Sequence, residues 1–427
     1  MQIRPRKTYY GWYVLGGVSS INFANAATAI GMLTVFILPL TDEFGWTRTE
    51  ISAATSIGAV LGASASLLTG RLTDRYGARL PLAVGAVLII VAMLNLAAMQ
   101  SLLWFYIAFG VARLADQAFV QTPSSPAVVR WFLKYRGRAL AILLLSASAG
   151  GVILPPLAQA ITDAWNWRVA WLMLAGVMFL AGLLPTVLLV RRQPEDMGLE
   201  LDGVERIGPA GHVTGATASS PQDTSEAQWS FLDALSTPTL WILLASTVAA
   251  GVASAGVGLH LVPYLVEEGL QVRVAVGAVS IGFFASAVGN LVWGLLADRM
   301  PTRPLLVLAL LLRLAGMGVL LIVSDIKTAY LFAAINGFTE GGLRTLTTLL
   351  MSEYYGRQNF GSIFGLTRAL QVAGFAAGPL ISGAVYDATA SYDAAFVAFL
   401  ALVALACALV AMAKRPVRRA GAYSSPR

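Results

Sequence analysis

Cysteine and histidine are almost missing from this chain: its 427 residues include one cysteine and two histidines. Cys407 stands alone inside the last apolar run, which excludes an intrachain disulfide framework and suits a small packing residue. So few ligands give no zinc spacing and no histidine-based triad with a supporting shell. No Gly-x-x-x-x-Gly-Lys run is present to cradle a phosphate. A soluble enzyme and an ATP-driven pump are therefore disfavoured, and no cofactor or metal is implied. Charge is scarce too: 12% of residues are charged, against about 25% in soluble domains. The net charge of +7 arises from basic residues in short loops between apolar runs. It reads as a topology signal rather than a nucleic-acid surface.

What is present is apolar sequence in long runs, with 57% hydrophobic residues. A helical span needs about 20 such residues. Twelve candidates fit, at about 12–40, 50–70, 79–99, 101–128, 137–162, 168–190, 238–266, 274–297, 303–324, 328–352, 360–385 and 393–413. Their length and the absence of strict alternation point to helices rather than a barrel. Met1 to Lys7 is basic, and the run after it is too long for a signal-peptide core, so a retained first span is expected. Arg191 to Thr237, with its small-residue tract Gly208 to Ser225, reads as a polar linker, and Phe231 to Leu235 as a short interfacial helix. The expected fold is an all-α membrane protein of twelve transmembrane helices in two six-helix pseudo-repeats, 1–190 and 238–427, joined by a linker at 191–237. Lys/Arg bias puts both termini and the linker in the cytoplasm, and a bacterial-type inner membrane is the expected location. A monomer is expected.

A duplication supports the two halves. Gly70-Arg71-Leu72-Thr73-Asp74-Arg75-Tyr76-Gly77 recurs 224 residues later as Gly294-Leu295-Leu296-Ala297-Asp298-Arg299-Met300-Pro301. Gly150 and Gly374, Pro155 and Pro379, and Asp116 and Glu340 keep the same offset. Each cassette is a charged loop between apolar runs. Gly70, Asp74, Arg75, Gly77, Asp298 and Arg299 are candidates for a conformational latch, with Asp74 accepting bonds at a helix N-terminus or pairing with Arg130. Topology alone is the plainer alternative.

These features resemble the major facilitator superfamily, in which Gly70 to Arg79 matches the loop signature between spans two and three. Tyr10-Gly11-Trp12, Glu43-Phe44-Gly45-Trp46-Thr47-Arg48, and Trp131-Phe132 to Arg138-Ala139-Leu140-Ala141 resemble the monocarboxylate porters and their oxalate/formate-antiporter-like relatives. The resemblance implies two halves rocking about a central site lined by spans one, four, seven and ten. Such relatives commonly place an anion-binding arginine in span eight. Here the strongly polar interior side chain of that span is Asn290.

Six charges lie inside the spans: Arg113, Asp116, Arg313, Glu340, Arg344 and Arg368, a local sum of +2. Intramembrane charges are costly unless paired or wet, so an anionic ligand is the natural missing partner. Arg113 and Asp116 share a helix face at i,i+3, and Asn336, Glu340 and Arg344 form one stripe. Arg368 is the expected carboxylate anchor, by its planar fork; a pair with Glu340 is the alternative. Arg344, Arg113, Asn336, Gln117, Asn25, Asn290, His260 and Tyr264 are further substrate-binding candidates, and Asp116 and Glu340 are proton-coupling candidates. Arg313 reads as a packing or snorkelling residue. The functional expectation is proton-coupled symport of a small carboxylate across a lipid bilayer. Anion exchange, drug/proton antiport and non-transporting sensing remain as alternatives.

Overall fold

The computed structural model describes residues 9–46, 48–202 and 229–416. The basic start, the tract Gly208 to Ser225 and the end of the basic tail lie outside the described residues. Apolar runs of this length satisfy their backbone by closing hydrogen bonds within the segment. Among the described residues the regular structure is helical throughout. The α-helices are α1 (Gly11–Asn25), α2 (Ile30–Phe44), α3 (Arg48–Tyr76), α4 (Arg79–Ala98), α5 (Leu102–Leu114), α6 (Thr122–Trp131), α7 (Arg136–Ala164), α8 (Trp167–Val177), α9 (Leu184–Leu189), α10 (Phe231–Leu235), α11 (Pro238–Glu267), α12 (Val272–Ala297), α13 (Thr302–Leu320), α14 (Ile326–Tyr355), α15 (Phe360–Thr389) and α16 (Asp393–Met412).

Three of the twelve units are compound. α1 and α2 form the first, through a 3-10 turn at Ala26–Thr28. α5 and α6 form the fourth, joined by a π-helical turn at Ala115–Gln121. α8 and α9 form the sixth, around a second π-helical turn at Met178–Leu183. The first unit corrects the expectation of one continuous span over 12–40: Ala29 has ψ 152, and the helix restarts after it. Among the described residues nine helical stretches are long and apolar enough to cross a membrane. The remaining units are the broken first, the polar α3, and α14 with its Glu340 and Arg344.

The halves meet where α3 packs on α15 and α7 on α12. Both crossings rest on missing side chains. A Cβ at Gly70 would fall on the Gly361 carbonyl oxygen, and one at Gly137 on that of Gly294. Gly70 and Gly294, like Gly137 and Gly361, are 224 residues apart. The two crossings are thus one contact repeated by the pseudo-symmetry, with small residues allowing close backbone approach.

Both ends of the linker dock beside these crossings. Asp202 accepts from the backbone N–H groups of Leu133 and Tyr135. Trp229 packs edge-on against Tyr355 at 5.9 Å, and its carbonyl accepts from Asn359 Nδ2 at 2.8 Å. Glu195 pairs with Arg357 of the other half. Burial pushes the Glu195 carboxyl up, but the Arg357 guanidinium outweighs it and holds the group below its ordinary value. That contact therefore contributes at neutral pH and is lost as pH falls through the depressed pKa.

Candidate functional site

The cassettes of the two halves come first, because each makes a contact between the halves. Asp74, in the last turn of α3, reaches the N-terminus of α15. Its Oδ1 accepts from Gly361 N at 2.8 Å, and its Oδ2 from Ser362 N at 2.7 Å and Ser362 Oγ at 2.6 Å. Arg130 Nη2 adds a bond to Asp74 Oδ1 at 3.0 Å and one to Gln358 O at 2.8 Å. A carboxylate suits this place, since a helix N-terminus offers free N–H groups and positive potential. The second cassette does the same: Asp298 Oδ1 accepts from Gly137 N at 2.9 Å at the start of α7, and Oδ2 lies 2.8 Å from Arg138 Nε. Arg75 and Arg299, expected in the latch, are exposed and reach across to neither helix; Arg75 lies over the ring of Tyr76. Gly77 serves the turn after α3, at φ +82.

Halfway along the bundle lies the charged cluster. Asp116 is 1% exposed. Its four acceptor positions are filled: Oδ2 by Arg113 Nη1 at 2.5 Å and Gln117 Nε2 at 3.1 Å, Oδ1 by Asn25 Nδ2 at 2.6 Å and Gln121 Nε2 at 2.7 Å. Two backbone irregularities permit this. In an α-helix positions five apart face different ways, but the π-helical turn closes i→i+5 and brings Gln121 round to Asp116. At the break after α1, Met32 N donates to Ala29 O, leaving Thr28 O to accept from Arg113 Nη1 at 3.2 Å. Gly58 and Gly62 let α3 lie against the Cβ atoms of Arg113 and Gln117.

Glu340 occupies the equivalent place in the second half. Arg313 Nη1 lies 2.6 Å from its Oε2, Ser254 Oγ 2.9 Å from the same atom, and Arg344 Nε 3.3 Å from Oε1. Arg313 Nη2 also donates to Ser254 at 2.8 Å, and Arg313 is 1% exposed. The expectation of a packing or snorkelling arginine is corrected: Arg313 is the main counter-charge of Glu340. The packing of α13 on α14 brings Arg313 to Glu340.

Arg368 of α15 has no carboxylate partner among the described residues. Its Nη1 donates to Gln371 Oε1 at 2.7 Å, and its Nη2 reaches across the halves to Gln121 Oε1 at 2.6 Å and Gln117 Oε1 at 3.1 Å. Its Nε is buried without a partner. Asp116, Arg344 and Arg113 all lie within electrostatic range of it. The alternative pair with Glu340 is not formed. Arg344 keeps its side chain 52% exposed although it sits mid-helix. The positive excess is therefore localised: Arg113 and Arg313 have dedicated acids, Arg344 shares one, and Arg368 has none. Such a pair of guanidinium groups can take an anion, and the amides around them can orient it.

Three candidates fall outside this cluster and make polar contacts elsewhere. Asn290 is buried between α12 and α14 and accepts from Thr345 at 3.3 Å. His260 uses both ring nitrogens, on Tyr392 Oη at 3.1 Å and Pro379 O at 3.2 Å. Tyr264 donates to Leu320 O at 3.1 Å. Asn336 is half-buried one turn from Glu340 and makes no side-chain bond among the described residues.

A family model described as Major Facilitator Superfamily matches residues 19–286 and 272–426. Monocarboxylate transporter 12-B of Danio rerio is 22% identical over 412 residues, covering 92% of this chain and 85% of that protein. Monocarboxylate transporter 11 of Mus musculus is 26% identical over 406 residues, covering 91% and 83%. The crystal structure of FucP, a major facilitator transporter in the outward conformation, superposes with a TM-score of 0.72 at 14% identity, over 95% of this chain and 100% of that one. A repeat-built bundle of twelve transmembrane helices and a match over nearly the whole length lead to one assignment: the chain belongs to the major facilitator superfamily, as a membrane transporter related to monocarboxylate transporters and not an enzyme.

Proposed function

We propose that this transporter carries a small organic anion, a mono- or dicarboxylate, in symport with protons by alternating access. The observation that carries the proposal is Arg368: a guanidinium between the halves with no acid partner among the described residues and a buried, unpartnered Nε. A carboxylate would dock there, with Arg344 and Arg113 assisting. The names of the relatives agree in substrate class. Asp116 and Glu340 are the proton-coupling candidates. When empty, the cluster carries two surplus positive charges; one carboxylate and one proton leave that sum unchanged. Both forms that reorient then cross with the same charge, which makes the cycle electroneutral.

The test is uptake of labelled carboxylate into proteoliposomes under an imposed pH gradient. Asp116→Asn is expected to lose gradient-driven uptake and keep counterflow. Full gradient-driven uptake in both Asp116→Asn and Glu340→Gln would rule out proton coupling through these acids. Anion exchange is the second reading. It is favoured by Glu340, whose 2.6 Å contact with Arg313 does not depend on Arg344. Exchange predicts counterflow that ignores pH.

In this reading the cassettes form the latch of the cytoplasmic side, with Asp74 and Asp298 holding the inside shut and both termini in the cytoplasm of an inner membrane. Gly70→Val, which places side chain on the Gly361 carbonyl, and Asp74→Ala are both expected to open that end. Spin-label distances between the loops after α3 and before α15 should lengthen in each variant. Unchanged distances would remove the latch role.

A further inference from the structure

We infer that Gln117 and Gln121 are the coupling element of this site: a pair of amides that lets Arg368 and Asp116 sense each other without touching. The inference rests on the reading of Arg368 as the anion anchor and adds the route by which a proton is linked to it. Each amide is used at both ends. Nε2 of Gln121 donates to Asp116 at 2.7 Å while its Oε1 accepts from Arg368 at 2.6 Å. Gln117 does the same at 3.1 Å on each side. Two parallel amide bridges therefore join the acid of one half to the arginine of the other.

The hydrogen-bond inventory turns this into a switch. An ionised carboxylate offers about four acceptor positions, and all of them on Asp116 are taken, by Arg113, Asn25, Gln117 and Gln121. Protonation converts one position into a donor. Arg113 cannot accept from it, and the Asn25 amide, which donates Nδ2 to Oδ1, accepts only if it turns over. The two glutamine carbonyls likewise reach Asp116 only if an amide turns over, and theirs are the amides also bonded to Arg368. A turned amide presents its N–H groups to Arg368, donor against donor, and releases the guanidinium. In the other direction, an anion on Arg368 displaces the glutamine oxygens and frees them to accept the Asp116 proton. Anion and proton thus favour each other. The proton binds to a carboxylate oxygen of Asp116 and moves nowhere else in this step.

The charged groups around Asp116 are Arg113 on its own unit, Arg368 on α15, and Arg344 on α14 facing Arg368. Arg344 is in turn tied to Glu340. α3 between 51 and 70 and α4 beyond Arg79 carry no titratable side chain, and α1 contributes only the neutral Asn25. The amide pair is accordingly the direct link between Asp116 and the anchor. Both glutamines are positioning residues.

The test is the pH dependence of anion affinity in the purified full-length protein, by calorimetry with acetate, lactate, oxalate and malonate as probes. For the wild type, one proton taken up per anion predicts affinity rising about tenfold for each unit of falling pH, as long as Asp116 is mostly ionised. Gln117→Met/Gln121→Met keeps the length of both side chains and removes both amides. It is expected to bind the same acid with affinity nearly independent of pH. The single replacements, each leaving one bridge, should give a reduced slope and serve if the double variant does not purify as a folded protein. A wild-type slope retained after loss of the amides overturns the inference and leaves the anion site standing. So does a wild type that binds a carboxylate without pH dependence. Binding of none of the four acids overturns the function proposal, and the inference falls with it.

Discussion

Arg368→Ala is expected to lower carboxylate affinity by roughly 30- to 4,000-fold, the equivalent of about 2–5 kcal/mol for truncating one side of a desolvated, charge-assisted contact. The same replacement should leave the empty protein as stable as wild type, or more so. That second half discriminates. Among the described residues Arg368 is held by three glutamine oxygens and touches no carboxylate; Asp116 attracts it from behind the amides, and Arg344 and Arg113 repel it. Removing a buried cation that lacks a counter-charge relieves strain, whereas a structural arginine would cost stability when lost. Arg368→Lys keeps the charge but not the planar fork. It should recover part of the affinity and little of the selectivity between acids. Thermal unfolding of the empty and loaded protein measures both quantities. Arg368→Ala with a lowered midpoint and unchanged anion binding would make the residue a packing element.

Arg313→Met is expected to do the opposite, with its main effect on stability. Breaking a buried pair by removing one partner costs about 3–5 kcal/mol, because the other charge stays buried. Here the cost should fall toward the lower end, since Arg344 still touches Glu340 at 3.3 Å. Ser254 loses a donor as well. Glu340→Gln should be destabilising in the same way, leaving Arg313 and Arg344 without their common acid. The double variant Arg313→Met/Glu340→Met should regain most of the loss, since apolar replacements of similar volume dispense with both desolvation costs. Thermal midpoints of the two singles and the double form the cycle. A double variant as unstable as the sum of its singles would mean that the two residues act independently, against the 2.6 Å contact between them.

Much of this arrangement is legible in the residues. The offset of 224 residues announces the duplicated bundle, and the same offset relates the two glycine crossings and the two aspartate caps. The i,i+3 spacing of Arg113 and Asp116 forms the expected ion pair, and Asp74 meets both partners named for it, a helix N-terminus and Arg130. The helical stretch Phe231–Leu235 is present as read. The hidden part lies in backbone geometry. The break between α1 and α2 falls in Ala26-Ala27-Thr28-Ala29, residues that tolerate a helix well and carry no Pro or Gly signal. The π-helical turn lies in Ala115–Gln121, again without punctuation, yet it aims Gln121 at Asp116. One inserted residue turns the rest of a helix by about 100°, so the spacing of Gln117 and Gln121 does not show that both face Asp116. Arg313 reads as a packing or snorkelling residue because helix-to-helix packing, not local pattern, brings it to Glu340. Asn290, His260 and Tyr264 have the right chemistry for a ligand, but partners elsewhere in the fold already occupy it.

The most direct test of the anion site is thermal stabilisation of the detergent-purified protein by a panel of mono- and dicarboxylates at acid and neutral pH, beside Arg368→Ala. The expected result is a raised midpoint for one class of acid, larger at acid pH, and no shift in the variant. Stabilisation by amphipathic cations, with no response to any carboxylate, would contradict the anion site and point to drug export instead.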